Sequence, residues 1–330
     1  MIWSAIMVVQ ALATEERPPM KPVLEGVVFP EAAQITIASE TIREGNTQDR
    51  VVRDDASIVL FYGGEQAGDL GPCGCASSPQ GGVARVQGYI SASRRANPMT
   101  PDLLLNVGNY LDDAIGLSGA LRPDAVRKNA AMMEGLGGWD VLNVGSRDHA
   151  WFETTDVPEH VTSAVLTGKG APASALTFER GEHKVVVIGV NGAWLSFSEP
   201  SHTVVTPVEA VLAKERREED LVVVVALDVG RTADELARIP GVDVVIEGGR
   251  FKYRSEAVQE GNAVWVRSAH QTQRIGELRL WIDAGRVVRA LDRHVGLDDR
   301  VRADPDLERL SRKATREVER AQKSLFATEP

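Results

Sequence analysis

The chain has 330 residues, 43% hydrophobic and 25% charged, enough to bury a full core in one large domain or two smaller ones. Its net charge of −10 argues against nucleic acid or an anionic membrane surface as the main partner. No apolar run reaches the roughly 18–20 residues needed to span a bilayer.

In chain order, residues 2–9 are a short apolar run, and Ala11-Leu12-Ala13 before Thr14 has the small-x-small form of a signal peptidase site. This predicts a signal peptide over 1–13 and a periplasmic or secreted protein, although only the terminal amine puts positive charge ahead of the run. No cysteine stands at the cleavage point, which argues against a lipoprotein. Residues 14–50 read as a linker or N-terminal extension, rich in Glu, Pro and Lys up to Pro30 and without a clear period from 32 to 55. The main α/β domain is expected over 51–295. Residues 57–62 (SIVLFY) are a buried strand running into Gly63-Gly64. A loop to Gly82 precedes a helix carrying Val83, Val86 and Ile90 and ending near Arg94-Arg95. Residues 102–107 (DLLLNV) form a second strand. Pro123 suits the first turn of a helix with Val126, Ala130, Met133 and Leu136. Residues 139–144 form a third strand.

The second half repeats the pattern: strands at 185–190, 221–227 and 242–246, with helices at 208–217 and 232–239 between them. Residues 263–267, 276–283 and 287–292 then read as antiparallel strands, with Ala284-Gly285 as a turn. Alternating βα units in two halves predict two sheets packed between helices. Over 296–330, Leu307, Leu310, Ala314, Val318, Ala321 and Leu325 share one face of an amphipathic helix, expected to dock on the body or on a redox or membrane-associated protein partner.

The chain has two cysteines, Cys73 and Cys75. One intervening residue makes a poor structural staple, so the pair points to chemistry. The loop precedes the helix that starts near Gly82, and a helix N-terminus favours a thiolate; Arg85 and Arg147 would add positive charge. A Cys-x-Cys bridge closes a small, easily reduced ring, which suits a redox couple. The same two sulfurs suit a soft ion such as Cu(I), with His149 the nearest third ligand in sequence. Zinc, which wants four ligands, fits poorly. An inert disulfide is the third reading. His160, His183, His202, His270 and His294 have no metal-like spacing and read as surface or capped residues. Trp139, Trp151, Trp194, Trp265 and Trp281 read as core.

Five segments occur in a telling order: Gly81-Gly82-Val83-Ala84-Arg85, 103–109 (LLLNVGN), 138–145 (GWDVLNVG), 221–230 (LVVVVALDVG) and 241–246 (GVDVVI). Over about residues 57–292 the chain resembles the bacterial 5′-nucleotidase branch of the calcineurin-like metallophosphatases. The resemblance implies a four-layer αββα sandwich with the C-terminal helix added. It also implies a two-metal hydrolytic site at strand ends, with Asp, His and Asn ligands. At the matching positions stand Gly64, Gln66, Asn109, Ser146, Arg147, Asp228, Gly249 and Phe251, a set too poor in anions and imidazoles for two divalent ions. The expectation is a pseudoenzyme without active binuclear phosphatase chemistry; residual nucleotide or phosphoester hydrolysis is the alternative. Arg147 and Arg250 are expected to fill the former metal cavity by pairing with Asp228 and Asp148, while Asp148 also reads as a loop hydrogen-bonding residue.

Pro72-Cys73-Gly74-Cys75, the Gly81–Arg85 helix start and Gly145-Ser146-Arg147-Asp148 together resemble a divergent branch of that family more closely. Members of that branch fused to multihaem cytochromes, or with selenocysteine at the first cysteine position, imply redox chemistry; this chain has no Cys-x-x-Cys-His haem motif. The resemblance thus points to thiol redox or electron-transfer accessory work at Cys73 and Cys75, supported by Arg85, Arg147 and Asp148. A non-catalytic binding protein for Cu(I) or a protein partner is the alternative.

Overall fold

The computed structural model describes residues 34–73, 79–113, 122–166, 171–192, 202–217, 220–230, 232–249 and 256–326. The signal-like segment, Cys75, Trp194, Arg250 and Phe251 lie outside them. Strand β1 (Thr36–Ile42) and the short helix α1 (Thr47–Arg50) precede β2 (Ile58–Gly63). Then come α2 (Val83–Ala96), β3 (Asp102–Asn106), α3 (Pro123–Gly135), β4 (Val141–Asn143), α4 (Ser146–Phe152) and β5 (Val161–Thr162). The second half holds β6 (Leu176–Arg180), β7 (His183–Asn191), α5 (His202–Glu215), β8 (Leu221–Leu227), α6 (Thr232–Arg238), β9 (Val244–Gly248), β10 (Val258–Glu260) and β11 (Ala263–Arg267). The chain closes with β12 (Arg274–Asp283), β13 (Arg286–Gly296) and α7 (Pro305–Phe326).

The strands form two sheets, ordered β1-β13-β12-β2-β3-β4-β5 and β10-β11-β9-β8-β7-β6. Strands β2 to β5 are parallel, as are β7, β8 and β9, because helices cross over between them. Both faces of these strands are covered, so they read as unbroken apolar runs such as LVVVVAL. One core lies between the sheets, built from residues such as Leu60, Leu105, Val187, Val223 and Ile246. A second core joins the first sheet to α2, α3 and α7; a third joins the other sheet to α5 and α6. This is the four-layer α/β/β/α sandwich with a C-terminal helix.

The antiparallel end does not form a separate layer. Strands β12 and β13 return to the first sheet, pairing antiparallel with β2 and with each other. Ala284 (φ 47°) and Gly285 (φ 73°) make their hairpin turn, both left-handed as a tight primed turn requires. Residues 36–42, where the sequence showed no clear period, add β1 in parallel to the outer edge of β13. Asp304 caps helix α7, its Oδ1 accepting the N–H of Leu307 at 3.0 Å, and Pro305 follows as the first helical residue. Leu307, Leu310 and Ala314 pack into the core beneath it, and Val318 is buried, so the apolar stripe faces this chain's own α2 and α3. The side chain of Leu325 lies outside the described residues. Among the described residues, no helix is long and apolar enough to cross a membrane.

Two expectations about single residues change. His294 is fully buried, its Nε2 3.1 Å from Asp292 Oδ2, while Tyr62 Oη donates to Asp292 Oδ1 at 2.6 Å. A strand histidine beside a buried carboxylate needs no surface. Trp139 is core, but Trp281 is only half-buried: its Nε1 donates to Asp55 and Arg289 stacks on its ring at 4.1 Å.

Candidate functional site

Strands β2, β3, β4, β8 and β9 end on the same side of the sandwich, and the positions matched to metal ligands lie at or just after those ends. Backbone geometry is special there. Glu65, Asn109 and Asp228, which follow β2, β3 and β8, have φ of 60°, 53° and 52°. Asn and Asp tolerate the left-handed region better than most residues, and such conformations gather at functional loops. Gly249 (φ 127°) follows β9, and a Cβ there would lie 2.6 Å from Asp228 Oδ1, so the two positions adjoin. A Cβ on Gly64 or on Gly248 would meet Val107 Cγ2 at 2.4 Å; that valine methyl fills the space between the ends of β2 and β9.

Two of the side chains at these positions, Gln66 and Asn109, meet amide partners. Gln66 is buried; its Oε1 accepts from Asn106 Nδ2 at 3.2 Å, and its Nε2 has no hydrogen-bond partner among the described residues. Asn109 Oδ1 accepts the backbone N–H of Arg147 at 3.3 Å. Ser146 is exposed and Arg147 half-buried. Arg147 makes no ion pair with Asp148 or Asp228, so the pairing expected for it is not formed. The reason is that Asp148 is already taken. It is the third residue of α4, and its Oδ2 reaches back to accept the N–H of Gly145 at 2.8 Å, which caps the start of that helix. The same oxygen accepts the N–H of Asn109 at 2.7 Å, and Oδ1 accepts that of Leu111 at 2.8 Å. Burial pushes this carboxyl up to about 7 against the opposing pull of those N–H donors. Asp148 therefore ties the loops after β3 and β4 together.

Glu65 is a site residue that the sequence comparison stepped over. It lies between Gly64 and Gln66, is 5% exposed, and its Oε2 accepts the N–H of Gly249 at 3.3 Å. Only the fold reveals that contact, because 184 residues separate the partners. Among the described residues, no group of three or more His, Cys, Asp or Glu is placed to hold a metal ion.

Cys73 lies to one side of these strand ends. It is a half-buried free thiol. Its backbone pairs with Gln80 in both directions, at 2.8 and 2.9 Å, so the intervening loop leaves and returns at one point. Gly81 and Gly82, with φ of 81° and 93°, then turn the chain into α2, and a Cβ on Gly82 would sit 3.0 Å from Pro72 N. The first free N–H of the helix does not point at the sulfur: Val83 N–H donates to Leu70 O at 3.0 Å. Arg85 is likewise committed, with Nη1 donating to the carbonyls of Pro79 (2.7 Å) and Leu297 (3.0 Å). It fastens the end of the cysteine loop. The groups that do meet the sulfur are Gln271 Oε1 at 3.3 Å and Gln273 Nε2 at 3.5 Å, from the turn before β12. Sequence reading had no signal for them. Thr272 between them links this turn to the strand ends, donating from Oγ1 to Gly64 O at 2.9 Å and accepting Gly64 N–H at 3.2 Å.

No protein-family model matches the chain, and no curated protein does. Solved structures do. The sulfate thiohydrolase SoxB of Thermus thermophilus superposes with a TM-score of 0.62 at 13% identity, covering 80% of this chain and 61% of its own. A 5′-nucleotidase precursor, also from Thermus thermophilus, gives 0.58 at 18% identity, covering 82% and 59%. The 5′-nucleotidase of Candida albicans gives 0.55 at 13%, covering 82% and 58%. The chain thus spans about three fifths of the length of these proteins. At such identities the likeness is one of architecture: this chain has the metallophosphatase-like fold shared by SoxB and the 5′-nucleotidases.

Proposed function

We propose that this is an exported protein on a 5′-nucleotidase-like scaffold whose chemistry resides in the thiols of Cys73 and Cys75 rather than in a two-metal hydrolytic centre. The observation that carries this reading is the contrast between two neighbouring places. Of the matched positions, the strand ends offer Gly64, Gln66, Asn109, Ser146, Arg147 and Gly249, with Asp228 as the anion among them, where hard divalent ions would need several anions or imidazoles, and Asp148 is occupied by backbone N–H groups. The donors present do not suit such ions, and no hydrolytic step is assigned to them. Beside them, Cys73 is a partly accessible thiol with two amide contacts. The export reading rests on residues 1–13.

The reaction assigned to the pair is thiol–disulfide exchange. Two thiols of this chain and one disulfide R–S–S–R give an intramolecular Cys73–Cys75 disulfide and two R–SH, with the two electrons and two protons passing to R–S–S–R. Arg85, by fastening Pro79, and Asp148, by fixing the strand-end loops, are supporting residues.

Equilibration of the full chain against glutathione, read by alkylation and mass spectrometry, tests this. The expected result is a reversible two-electron couple above roughly −300 mV, the level below which structural disulfides sit. Cys73→Ser and Cys75→Ser should each abolish it without unfolding the protein. A pair that stays oxidised in strongly reducing buffer, or two thiols that never react, overturns the reading. Stoichiometric Cu(I) on the two sulfurs would assign the site to metal binding instead. Mn²⁺-dependent nucleotide turnover lost in an Asn109→Ala, Asp228→Ala double variant would return it to hydrolysis.

A further inference from the structure

The two amides on Cys73 have opposite polarity, and that has a chemical consequence. The Cys73 S–H donates to the Oε1 of Gln271 at 3.3 Å, while Nε2 of Gln273 donates to the sulfur at 3.5 Å. A carbonyl oxygen against a sulfur stabilises the S–H form. An N–H against it stabilises the thiolate. Both side chains come from one turn, and that turn is held in an uncommon conformation. Gln271 has φ 53° and ψ 26°, and Thr272, a β-branched residue, has φ 47°. Thr272 is 1% exposed and is fixed by its two hydrogen bonds to Gly64, while Gly81 packs against its carbonyl, where a Cβ would come within 2.8 Å. The amides are therefore presented from an anchored backbone, not from a freely moving surface loop.

Arg85 of α2 is spent on two carbonyls. Asp69, Lys128 of α3 and Glu319 of α7 share the groove of about 380 Å³ beside Cys73, with Lys128 Nζ 3.5 Å from both Asp69 and Asp112. Among the described residues, the two glutamines are the polar side chains in contact with the sulfur.

We propose that Gln273 and Gln271 are positioning residues that set the balance between thiol and thiolate at Cys73 with opposite signs: Gln273 favours the reactive thiolate and Gln271 the resting thiol. This deepens the thiol reading above and rests on Cys73 being the reacting sulfur. A neutral hydrogen bond contributes about 1 kcal/mol, which is about fivefold in the balance.

The test uses the full chain carrying Cys75→Ser, so that Cys73 alone reports, with iodoacetamide as the probe at neutral pH. Gln273→Leu should slow alkylation about fivefold, and Gln271→Leu should speed it by about the same factor, with melting unchanged. Shifts in the same direction, or no shift in a folded variant, overturn the proposal. Where leucine unsettles the turn, Gln273→Glu keeps the side-chain shape, removes the donor and adds negative charge. It should slow the reaction by more than Gln273→Leu, and failure to do so also overturns the idea. The two readings fail separately. Opposite shifts without a reversible couple would sink the redox function and leave this inference standing. A reversible couple with no shifts would do the reverse.

Discussion

On the helix-facing side of β12 and β13, three charged residues lie almost wholly inside the protein: Glu277 and Arg279 are 0% exposed and Arg293 4%. There, charge meets charge. Glu277 Oε1 binds Arg279 Nη1 and its Oε2 binds Arg293 Nη1, each at 2.6 Å, while Tyr89 Oη donates to the same Oε2 at 2.6 Å. Arg279 also grips Asp54 at 2.6 Å, Arg293 grips Glu40, and the fully buried Arg50 reaches Asp298 at 2.8 Å. The strand-end basin follows another rule. One buried carboxylate there, Asp148, is satisfied by backbone N–H groups, and Arg147 has no ion pair with it. The first region is a clasp of side chains that fastens α1 and the segment before β2 to the sheet and braces the β1 edge. The second is a set of loops tied by the Asp148 carboxylate to main-chain N–H groups, so few of its side chains need to match one another. That difference lets the strand-end positions carry unlike residues such as Gly64, Asn109 and Arg147 while the loops keep their shape.

The comparison breaks most visibly at Glu277. Removing one member of a buried charge network leaves the others uncompensated, a loss of about 3–5 kcal/mol. Glu277→Ala should therefore lower the unfolding free energy by that amount in a denaturant titration, tempered by the remaining Asp54 and Glu40 partners. A change under about 1 kcal/mol would show that the clasp is incidental.

Asp148 sharpens the other side. Asp148→Ala leaves three N–H groups, two of them fully buried, without an acceptor and should cost about 2–3 kcal/mol. The pH dependence separates it from the clasp. Burial raises its carboxyl to about 7, above the value near 4 of an unfolded chain, so the folded state holds the extra proton between those values. Stability contributed by this group is full below about pH 4, falls as pH rises toward about 7, and levels off above. Urea unfolding at about pH 5 and about pH 8 should show a larger drop in the native protein than in Asp148→Asn, which keeps only the share of Asp243, a carboxyl that burial raises to about 6. Equal drops in both would remove Asp148 as the source.

The smallest effect is expected at the junction of α7 with the body. Val318 is 8% exposed, and Val318→Ala deletes two methyl groups, about 1–2 kcal/mol. A melting temperature unmoved by this change would mean that α7 past Ala314 rests on the surface without contributing.

The sequence carried much of this by its periods. Runs such as VVVIGV and LVVVVAL could only be strands buried on both faces, and the spacing of Leu307, Leu310, Ala314 and Val318 demanded a helix with one docked face. What the sequence could not carry was partnership across distance. The alternation of Glu277 and Arg279 with Leu278 and Leu280 marks a polar strand face, and a polar face suggests water; only the placement of α2 over it makes it a buried clasp. Nor does any local pattern bring Gln271 and Gln273 to Cys73 some 198–200 residues away, or Gly249 to Glu65. Local order follows from hydrophobic period and backbone chemistry, which a short stretch of chain contains in full. The assignment of one polar group to another depends on which strand ends the sandwich brings to the same edge, and that is decided only when both sheets close.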